Sequence, residues 1–143
     1  MKRPTRVLFL YPNERGMSTV PPSIALFSQI LKDAGHVTGL FDTTFYKFDD
    51  ELNAENVDVE DDREAILSVR PVLDQDDEDL HFKKTTRSAI NDFAKELKSF
   101  KPDLIAVTVT ETTFFRGYKL IQGTRDLGIP NLFGGVFPTF APE

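Results

Sequence analysis

Short apolar runs alternate with amphipathic stretches along this chain, and their order predicts its secondary structure. The first run, residues 6–11, is almost entirely apolar, as in a parallel strand that is buried on both faces. Apolar residues then recur at helical spacing over 22–34, just before Gly35, and a second apolar run covers 37–41. The sequence therefore opens with a strand–helix–strand unit, whose crossover is almost always right-handed.

The same alternation returns in the second half of the chain. Apolar positions at helical spacing run over 86–100, and residues 104–109 form a third apolar run after a Lys-Pro-Asp turn. A further amphipathic stretch covers 114–127, Gly128 follows it as a helix cap, and 131–133 predict a fourth strand. Strands that alternate with helices in this way predict an α/β fold with a doubly wound parallel sheet.

One long segment, residues 43–85, breaks this alternation. Between Asp49 and Asp79 there are fourteen acidic residues and two arginines, a net charge of −12, whereas the whole chain carries −6. The rest of the chain therefore carries +6. We interpret the segment as an acidic insertion within the domain, partly helical near 65–69, and its simplest role is a solvated excursion. A lid or a partner-docking surface is the alternative role.

Length and composition narrow the class of protein. With 143 residues, 40% of them hydrophobic, residues 1–143 should form one globular domain. The absence of cysteine excludes disulfides, thiolate nucleophiles and cysteine-held iron–sulfur clusters within this chain. No apolar run approaches the roughly 20 residues of a membrane span, so we predict a cytoplasmic domain without membrane contact. The acidic total disfavours nucleic acid as a partner, and the oligomeric state is left open.

The final residues indicate that the domain is truncated at its C-terminal end. A glycine pair, Gly134-Gly135, follows the fourth predicted strand, as in the strand-to-helix turns where open α/β sheets hold ligands. Pro142 and Glu143 then resemble the first turn of a helix, because proline is tolerated there and an acid suits a helix N-terminus. A domain rarely stops where a helix begins, so we expect a longer parent protein.

Three predicted loops reach the sheet edge where such a ligand would bind. The loop after the first strand offers Asn13, Ser18 and Thr19. The loop at 110–113 reads TETT, and the loop at 134–139 contains the glycine pair, where a backbone can approach a ligand closely. Hydroxyls and bare amides suit a large, mostly neutral ligand with hydrogen-bonding edges. The alternative is that these serines and threonines merely cap the following helices.

Several familiar sites are missing from the sequence. No G-x-G-x-x-G follows the first strand and no Walker A motif occurs, and the residues after that strand match a flavodoxin-type phosphate loop poorly. Asp42, which ends the second strand, is more often a loop cap than a ribose ligand. His36 and His81 have no partner at metal-ligand spacing, so we predict no metal site. No nucleophile–base constellation is visible, and we predict no catalytic residue in this chain.

Six short stretches outside the insertion share a pattern with one known family. They are VLFLYPN at 7–13, MSTVPPSIAL at 17–26, LKDAGH at 31–36, FDTTFY at 41–46, KPDLIAV at 101–107 and GGVFPTFAPE at 134–143. Together they resemble the cobalamin-binding domain that precedes the radical SAM domain in B12-dependent radical SAM enzymes. The resemblance covers most of the chain outside the insertion, and the terminal Gly-Gly, Pro-Thr and Pro-Glu pattern is its most specific part.

The resemblance implies a Rossmann-like domain of five strands, four of them visible here, that holds cobalamin at the carboxyl ends of its strands. In the parent enzyme, of methyltransferase type, the corrin would face a radical SAM domain of the same chain. That domain would hold S-adenosylmethionine and a [4Fe-4S] cluster. The residues that the resemblance and the loops assign to cobalamin binding are Asn13, Met17, Ser18, Thr19, Thr108, Thr110, Glu111, Thr112, Gly134, Gly135, Phe137, Pro138 and Thr139.

Two departures from the family pattern concern the lower face of the cofactor. The family often has a histidine where this chain has Phe137, and the D-x-H-x-x-G motif of the other large cobalamin-binding family is absent after the first strand. We therefore expect no protein histidine on cobalt. Two other functions stay open. One is a cofactor-free Rossmann-like interaction module, which Phe137 in place of the histidine and the acidic insertion favour modestly. The other is a flavodoxin-like flavin-binding domain.

Overall fold

Four parallel strands form a single sheet at the centre of the domain. The structure is a computed structural model and describes residues 3–13, 20–46, 85 and 87–140. The strands are β1 (Arg6–Tyr11), β2 (Val37–Asp42), β3 (Leu104–Thr108) and β4 (Asn131–Gly134). They lie in the order β2-β1-β3-β4, each parallel to its neighbour. The predicted α/β fold with a doubly wound parallel sheet is confirmed.

The first three helices follow the strands in the predicted order, whereas the fourth lies mostly in the stretch 134–139, which was predicted as a loop. The helices are α1 (Pro22–Asp33), α2 (Ala89–Phe100), α3 (Phe114–Gly123) and α4 (Val136–Phe140). Helix α3 ends before the predicted residue 127. The Thr124 hydroxyl donates to the carbonyl oxygens of Leu120 and Ile121, at 3.0 and 3.3 Å, and a short 3-10 turn, Arg125–Leu127, takes over. Among the described residues, no helix has the length and hydropathy that crossing a bilayer requires.

Local chemistry explains both ends of α2. The Ser88 hydroxyl accepts a hydrogen bond from the Asn91 backbone N–H at 3.3 Å, as an N-cap does. The helix ends at Lys101, whose left-handed backbone has φ 49° and whose N–H donates to the Leu97 carbonyl oxygen at 2.9 Å. The insertion that precedes the helix falls mostly on residues 47–84, which lie outside the described residues, as do the predicted helix at 65–69 and the helix start at Pro142.

The face of the sheet that α2 and α3 cover carries the larger core. Successive residues of a strand point to opposite faces, so alternate residues of β1 and β3 meet the apolar stripes of these two helices. The buried members of this core are Leu8, Leu10, Ala89, Phe93, Leu97, Ile105, Val107, Val109 and Leu120.

Helix α1 covers only half of the opposite face. Its residue Ile24 is buried against Val7, Phe9 and Tyr11 of β1. A hydrogen bond of 2.7 Å between the hydroxyls of Ser28 and Thr38 holds the helix toward β2.

In the described part of the chain, the β3–β4 half of this face is only partly covered. Leu104 and Ala106 of β3 are partly buried against the α1 side, whereas Leu132 of β4 is 62% exposed, and we call this the open half. The apolar side chains of Phe27 and Ile30 on α1 are also more than half exposed. By helical geometry, these two residues lie on the flank of α1 opposite the one that meets Thr38, so they face the open half.

Asp103 fastens the amino ends of β1 and β3. Its carboxylate accepts the backbone N–H of Arg6 at 2.8 Å and the guanidinium of Arg3 at 2.5 Å. The backbone N–H of Arg6, followed by the charge and hydrogen bond of Arg3, holds the pKa of the Asp103 carboxyl below its usual range. The Arg6 side chain lies over the Phe100 ring, 4.5 Å from its centroid, and donates to the Phe100 carbonyl oxygen.

Candidate functional site

The strand order places a crevice between the carboxyl ends of β1 and β3. The chain leaves β1 for β2 on one side and later returns to β3 on the other, so the order reverses between β1 and β3. Open α/β sheets bind ligands outside the carboxyl ends of their strands at such a switch point. The predicted loops after β1 and β3 begin at this edge, which we call the carboxyl edge. The stretch at 134–139, predicted as a third loop after β4, is instead mostly the helix α4.

Asn13, at the end of β1, joins the loops that follow β1 and β2. The residue is only 2% exposed, and its side-chain amide donates to the Thr44 hydroxyl at 3.0 Å. The Thr43 hydroxyl donates to the Asn13 carbonyl oxygen at 3.0 Å, and the backbone N–H groups of both residues donate to the Tyr11 carbonyl oxygen. Asn13 therefore has a structural task, and its predicted contact with a cofactor stays a prediction.

Asp42 caps the loop after β2, as the sequence indicated. Its carboxylate accepts the backbone N–H of Thr44 at 2.9 Å and the Thr44 hydroxyl at 2.6 Å. This is the local side chain-to-backbone turn that aspartate favours. Asp42, Thr44 and Asn13 thus form one continuous hydrogen-bonded chain at the carboxyl edge.

The TETT loop brings three hydroxyls together at the end of β3. The Thr110 hydroxyl lies 3.1 Å from that of Thr112 and 3.2 Å from that of Thr113. The Thr113 hydroxyl also accepts the Thr110 backbone N–H at 3.0 Å, and Thr113 is only 3% exposed. Thr110, Glu111 and Thr112 are exposed, so their side chains can reach a ligand while Thr113 holds the loop. The sequence pointed to the loop but not to Thr113 as its anchor.

The glycine pair serves the fold at one of its two positions. Gly135 has φ +117°, and a Cβ there would overlap the Val109 carbonyl oxygen and lie 3.2 Å from its carbonyl carbon. The close approach that Gly135 permits is therefore to the Val109 backbone. At Gly134 the nearest atom to an added Cβ is the Val107 carbonyl oxygen, at 3.9 Å, so space remains beside this glycine.

Helix α4 turns the predicted Phe137 inward. Its ring lies 5.1 Å from that of Phe114, which also contacts the rings of Phe133 and Tyr118. The Thr139 hydroxyl donates to the Gly135 carbonyl oxygen at 2.7 Å within this short helix. Phe137 therefore contributes to an aromatic cluster. It occupies the position at which the family that the sequence resembles often has a histidine.

The remaining predicted residues divide into two groups. Thr108, at the end of β3, and Pro138, within α4, are partly buried near the carboxyl edge. Met17, Ser18 and Thr19 lie outside the described residues, so their predicted roles stay predictions. Together, the structure brings the described candidates to one edge of the sheet.

One charged residue near this edge was missed by sequence reasoning. Arg116, in the first turn of α3, is buried, as are its neighbours Gly117 and Leu120 on the inner stripe of that helix. Gly117 faces Pro12 and Val109, so the start of α3 lies against the ends of β1 and β3. The only sequence indication is that Arg116 falls on the apolar stripe, where an arginine is unexpected. Arg116 thus places a buried basic residue in the helix that directly follows the TETT loop.

The described histidine lies at the opposite edge of the sheet. The Nδ1 atom of His36 accepts the Thr5 backbone N–H at 3.2 Å, near the amino ends of β1 and β2. Over the described ranges, no group of three or more histidine, aspartate or glutamate side chains is arranged to hold a metal ion.

Comparisons with protein-family models, with curated proteins and with solved structures found no match to this chain. Its function is therefore inferred from the geometry of the carboxyl edge and from the sequence motifs.

Proposed function

We propose that this chain is the cobalamin-binding domain of a B12-dependent radical SAM enzyme of the methyltransferase type. The observation that carries the proposal is the hydroxyl cluster of Thr110 and Thr112 beside the switch point, held in place by buried Thr113. Four of the six motifs that resemble the family lie on or beside β1, β2, β3 and β4, whose carboxyl ends lie along this edge. The domain would lie in the cytoplasm.

The carboxyl edge fits cobalamin in two respects. Exposed hydroxyls at Thr110 and Thr112 supply donors and acceptors for the amide edges and nucleotide tail of a large, mostly neutral ligand. Space at Gly134 lets such a ligand approach the backbone of β4.

In this proposal the chain binds and orients the cofactor and does not itself react. When bound, cobalamin supplies a cobalt centre that carries a methyl group. The hydroxyls of the TETT loop would fix the tail, and the bonds between Asn13, Thr43 and Thr44 would hold the loop after β1 in place. The partner would be a radical SAM domain of the same parent chain, with its S-adenosylmethionine and [4Fe-4S] cluster.

A visible-absorption titration with hydroxocobalamin and methylcobalamin tests the proposal on the whole chain. We expect a saturable spectral shift to a form without the dimethylbenzimidazole ligand. Replacing both Thr110 and Thr112 by valine should raise Kd about 5- to 30-fold, since two hydrogen bonds are lost. Ser99→Ala, which removes an exposed hydroxyl at the end of α2 on the opposite edge, is the matched control and should leave Kd unchanged. Saturable binding with equal Kd in the parent chain, the double valine variant and Ser99→Ala would show that the TETT loop is not part of the binding site.

A cofactor-free interaction module is the second candidate, and two observations favour it. Asn13 and Gly135, both assigned to the cofactor from the sequence, are occupied by contacts within the fold. The open half of the α1 face also leaves Leu132 exposed. A domain of this kind would show no shift with cobalamin. FMN in a parallel titration separates the flavin-binding alternative, because a flavodoxin-like site would quench flavin fluorescence on saturation.

A further inference from the structure

The two ends of the acidic insertion meet at one point of the domain. Tyr46, the last described residue before 47–84, pairs with Thr85 in an isolated parallel bridge. The Thr85 backbone N–H donates to the Phe45 carbonyl oxygen at 2.7 Å, and the Tyr46 N–H donates to the Thr43 carbonyl oxygen at 2.9 Å. The two described residues that flank 47–84 are therefore paired with each other.

A buried carboxylate holds these two ends together. The side chain of Asp92, in the first turns of α2, is only 8% exposed. Its carboxylate accepts a hydrogen bond of 3.2 Å from the hydroxyl of Tyr46, which precedes residues 47–84 in the chain. It also accepts one of 2.7 Å from the Nε of Arg87, which follows them. The Lys95 ammonium, 3.3 Å away, is its third partner. The hydrogen bond from Arg87 is the main reason that the pKa of Asp92 lies below its usual range.

Tyr46 also packs against the hydrophobic core through its ring. The Tyr46 ring lies 5.7 Å from that of Phe41 on β2, and Phe41 lies 5.0 Å from Phe93, which is fully buried on α2. The preceding residues, Thr43 and Thr44, carry the hydrogen bonds to Asn13. The junction therefore sits at the carboxyl edge beside β2 and is continuous with the network that supports the loop after β1.

We infer that the domain folds without residues 47–84, because Tyr46, Thr85, Arg87 and Asp92 form a closed neck that holds the two flanking ends together. The described residues form the β2-β1-β3-β4 ladder among themselves, and the two residues that flank 47–84 are paired with each other. The cost of closing a loop grows only slowly with its length, so a long segment on a fixed neck is thermodynamically tolerated. The inference does not depend on the cofactor.

The first test replaces residues 47–84 by a Gly/Ser linker in the otherwise complete chain. Tyr46 and Thr85 are paired in parallel, so a hairpin turn cannot join them and the linker needs about a dozen residues. We expect the far-UV circular dichroism spectrum to keep the helix and strand signals of the parent chain. The urea midpoint should equal or exceed that of the parent chain, because the shorter loop loses less entropy on closure. Loss of cooperative unfolding with this linker and with one twice as long would overturn the inference.

The second test asks whether Asp92 closes the neck, using hydrogen exchange of the full-length chain. Asp92→Asn should speed exchange of the Thr85 amide about tenfold, because the carboxylate that gathers Tyr46 and Arg87 is weakened. Amides in β1 should be unaffected. Asp126→Asn, which changes an exposed carboxylate in the 3-10 turn, is the control and should leave Thr85 unchanged. Unaltered Thr85 exchange in Asp92→Asn would show that the neck does not depend on this residue.

Discussion

Replacing Gly135 by alanine should destabilise the domain strongly, whereas the same change at Gly134 should not. Gly135 adopts φ +117°, and its added Cβ would overlap the carbonyl oxygen of Val109, which directly follows β3. The Val109 N–H donates to the Gly134 carbonyl oxygen at 3.0 Å, so the two segments cannot separate without losing this bond. Gly134 has no positive φ, and its Cβ would meet only ordinary contact.

The magnitude follows from two costs. A non-glycine residue in a sparsely populated backbone region costs about 1–3 kcal/mol. Overpacking against a buried neighbour costs about 1–3 kcal/mol more. The free energy of unfolding should therefore fall by about 2–6 kcal/mol in Gly135→Ala and by less than about 0.5 kcal/mol in Gly134→Ala. With a urea m-value of about 2 kcal/mol/M, the Gly135→Ala midpoint should drop by about 1–3 M.

The assay is urea unfolding of the full chain without added cofactor, followed by far-UV circular dichroism. Equal midpoints for the Gly134→Ala and Gly135→Ala variants would refute the reasoning, because the two sites differ only in the geometry described. A Gly135→Ala variant with the parent midpoint but weakened cobalamin binding would instead assign this glycine to the ligand. An unchanged m-value is needed for the comparison, since a change would mean an altered unfolded or native state.

Phe114→Ala should lower the free energy of unfolding by about 2–4 kcal/mol, because its ring contacts those of Phe133 and Phe137 at the centre of the aromatic cluster. The control is Phe115→Ala, at a side chain that is 69% exposed. It should change the free energy of unfolding by less than about 0.5 kcal/mol in the same urea assay. Ser88→Ala should cost about 1 kcal/mol in that assay by removing the N-cap of α2, and no loss would argue against the cap. Asp103→Asn should destabilise the domain at pH 7. Because the pKa of Asp103 is lowered on folding, its contribution is present above the ordinary carboxyl pKa and is lost as the pH falls through the folded-state value, so urea midpoints of parent and variant should converge in acid. A constant difference from pH 7 to pH 2 would contradict this.

The helix and strand order could be predicted because it depends on local periodicity. Apolar runs at β1 and β3 and helical spacing in α1 and α2 determine which side chains can be buried, whatever the rest of the chain does. The end of α3 was harder to predict, because the Thr124 hydroxyl bonds the Leu120 carbonyl oxygen in competition with the helix ladder, and helical spacing of apolar residues does not report this bond.

The candidate site could be located from the sequence but not resolved into roles. The rule that ligands bind at the carboxyl ends of parallel strands places the loops after β1, β3 and β4 at one edge. Which loop residues face outward depends on partners far away in the chain. Asn13 is buried because Thr44 lies across from it, and Gly135 is needed because Val109 passes beside it.

The sequence by itself therefore determined the fold class, the strand order along the chain and the edge of the sheet at which the loops after β1 and β3 begin, since these follow from hydrophobic period and from chain handedness. Only the tertiary structure decided that Thr113 anchors the TETT loop, that Arg116 is buried, and that Asp92 joins the two ends of the insertion. The physical reason is that burial and hydrogen bonding between distant residues depend on how helices and strands pack, and a local pattern does not encode that arrangement.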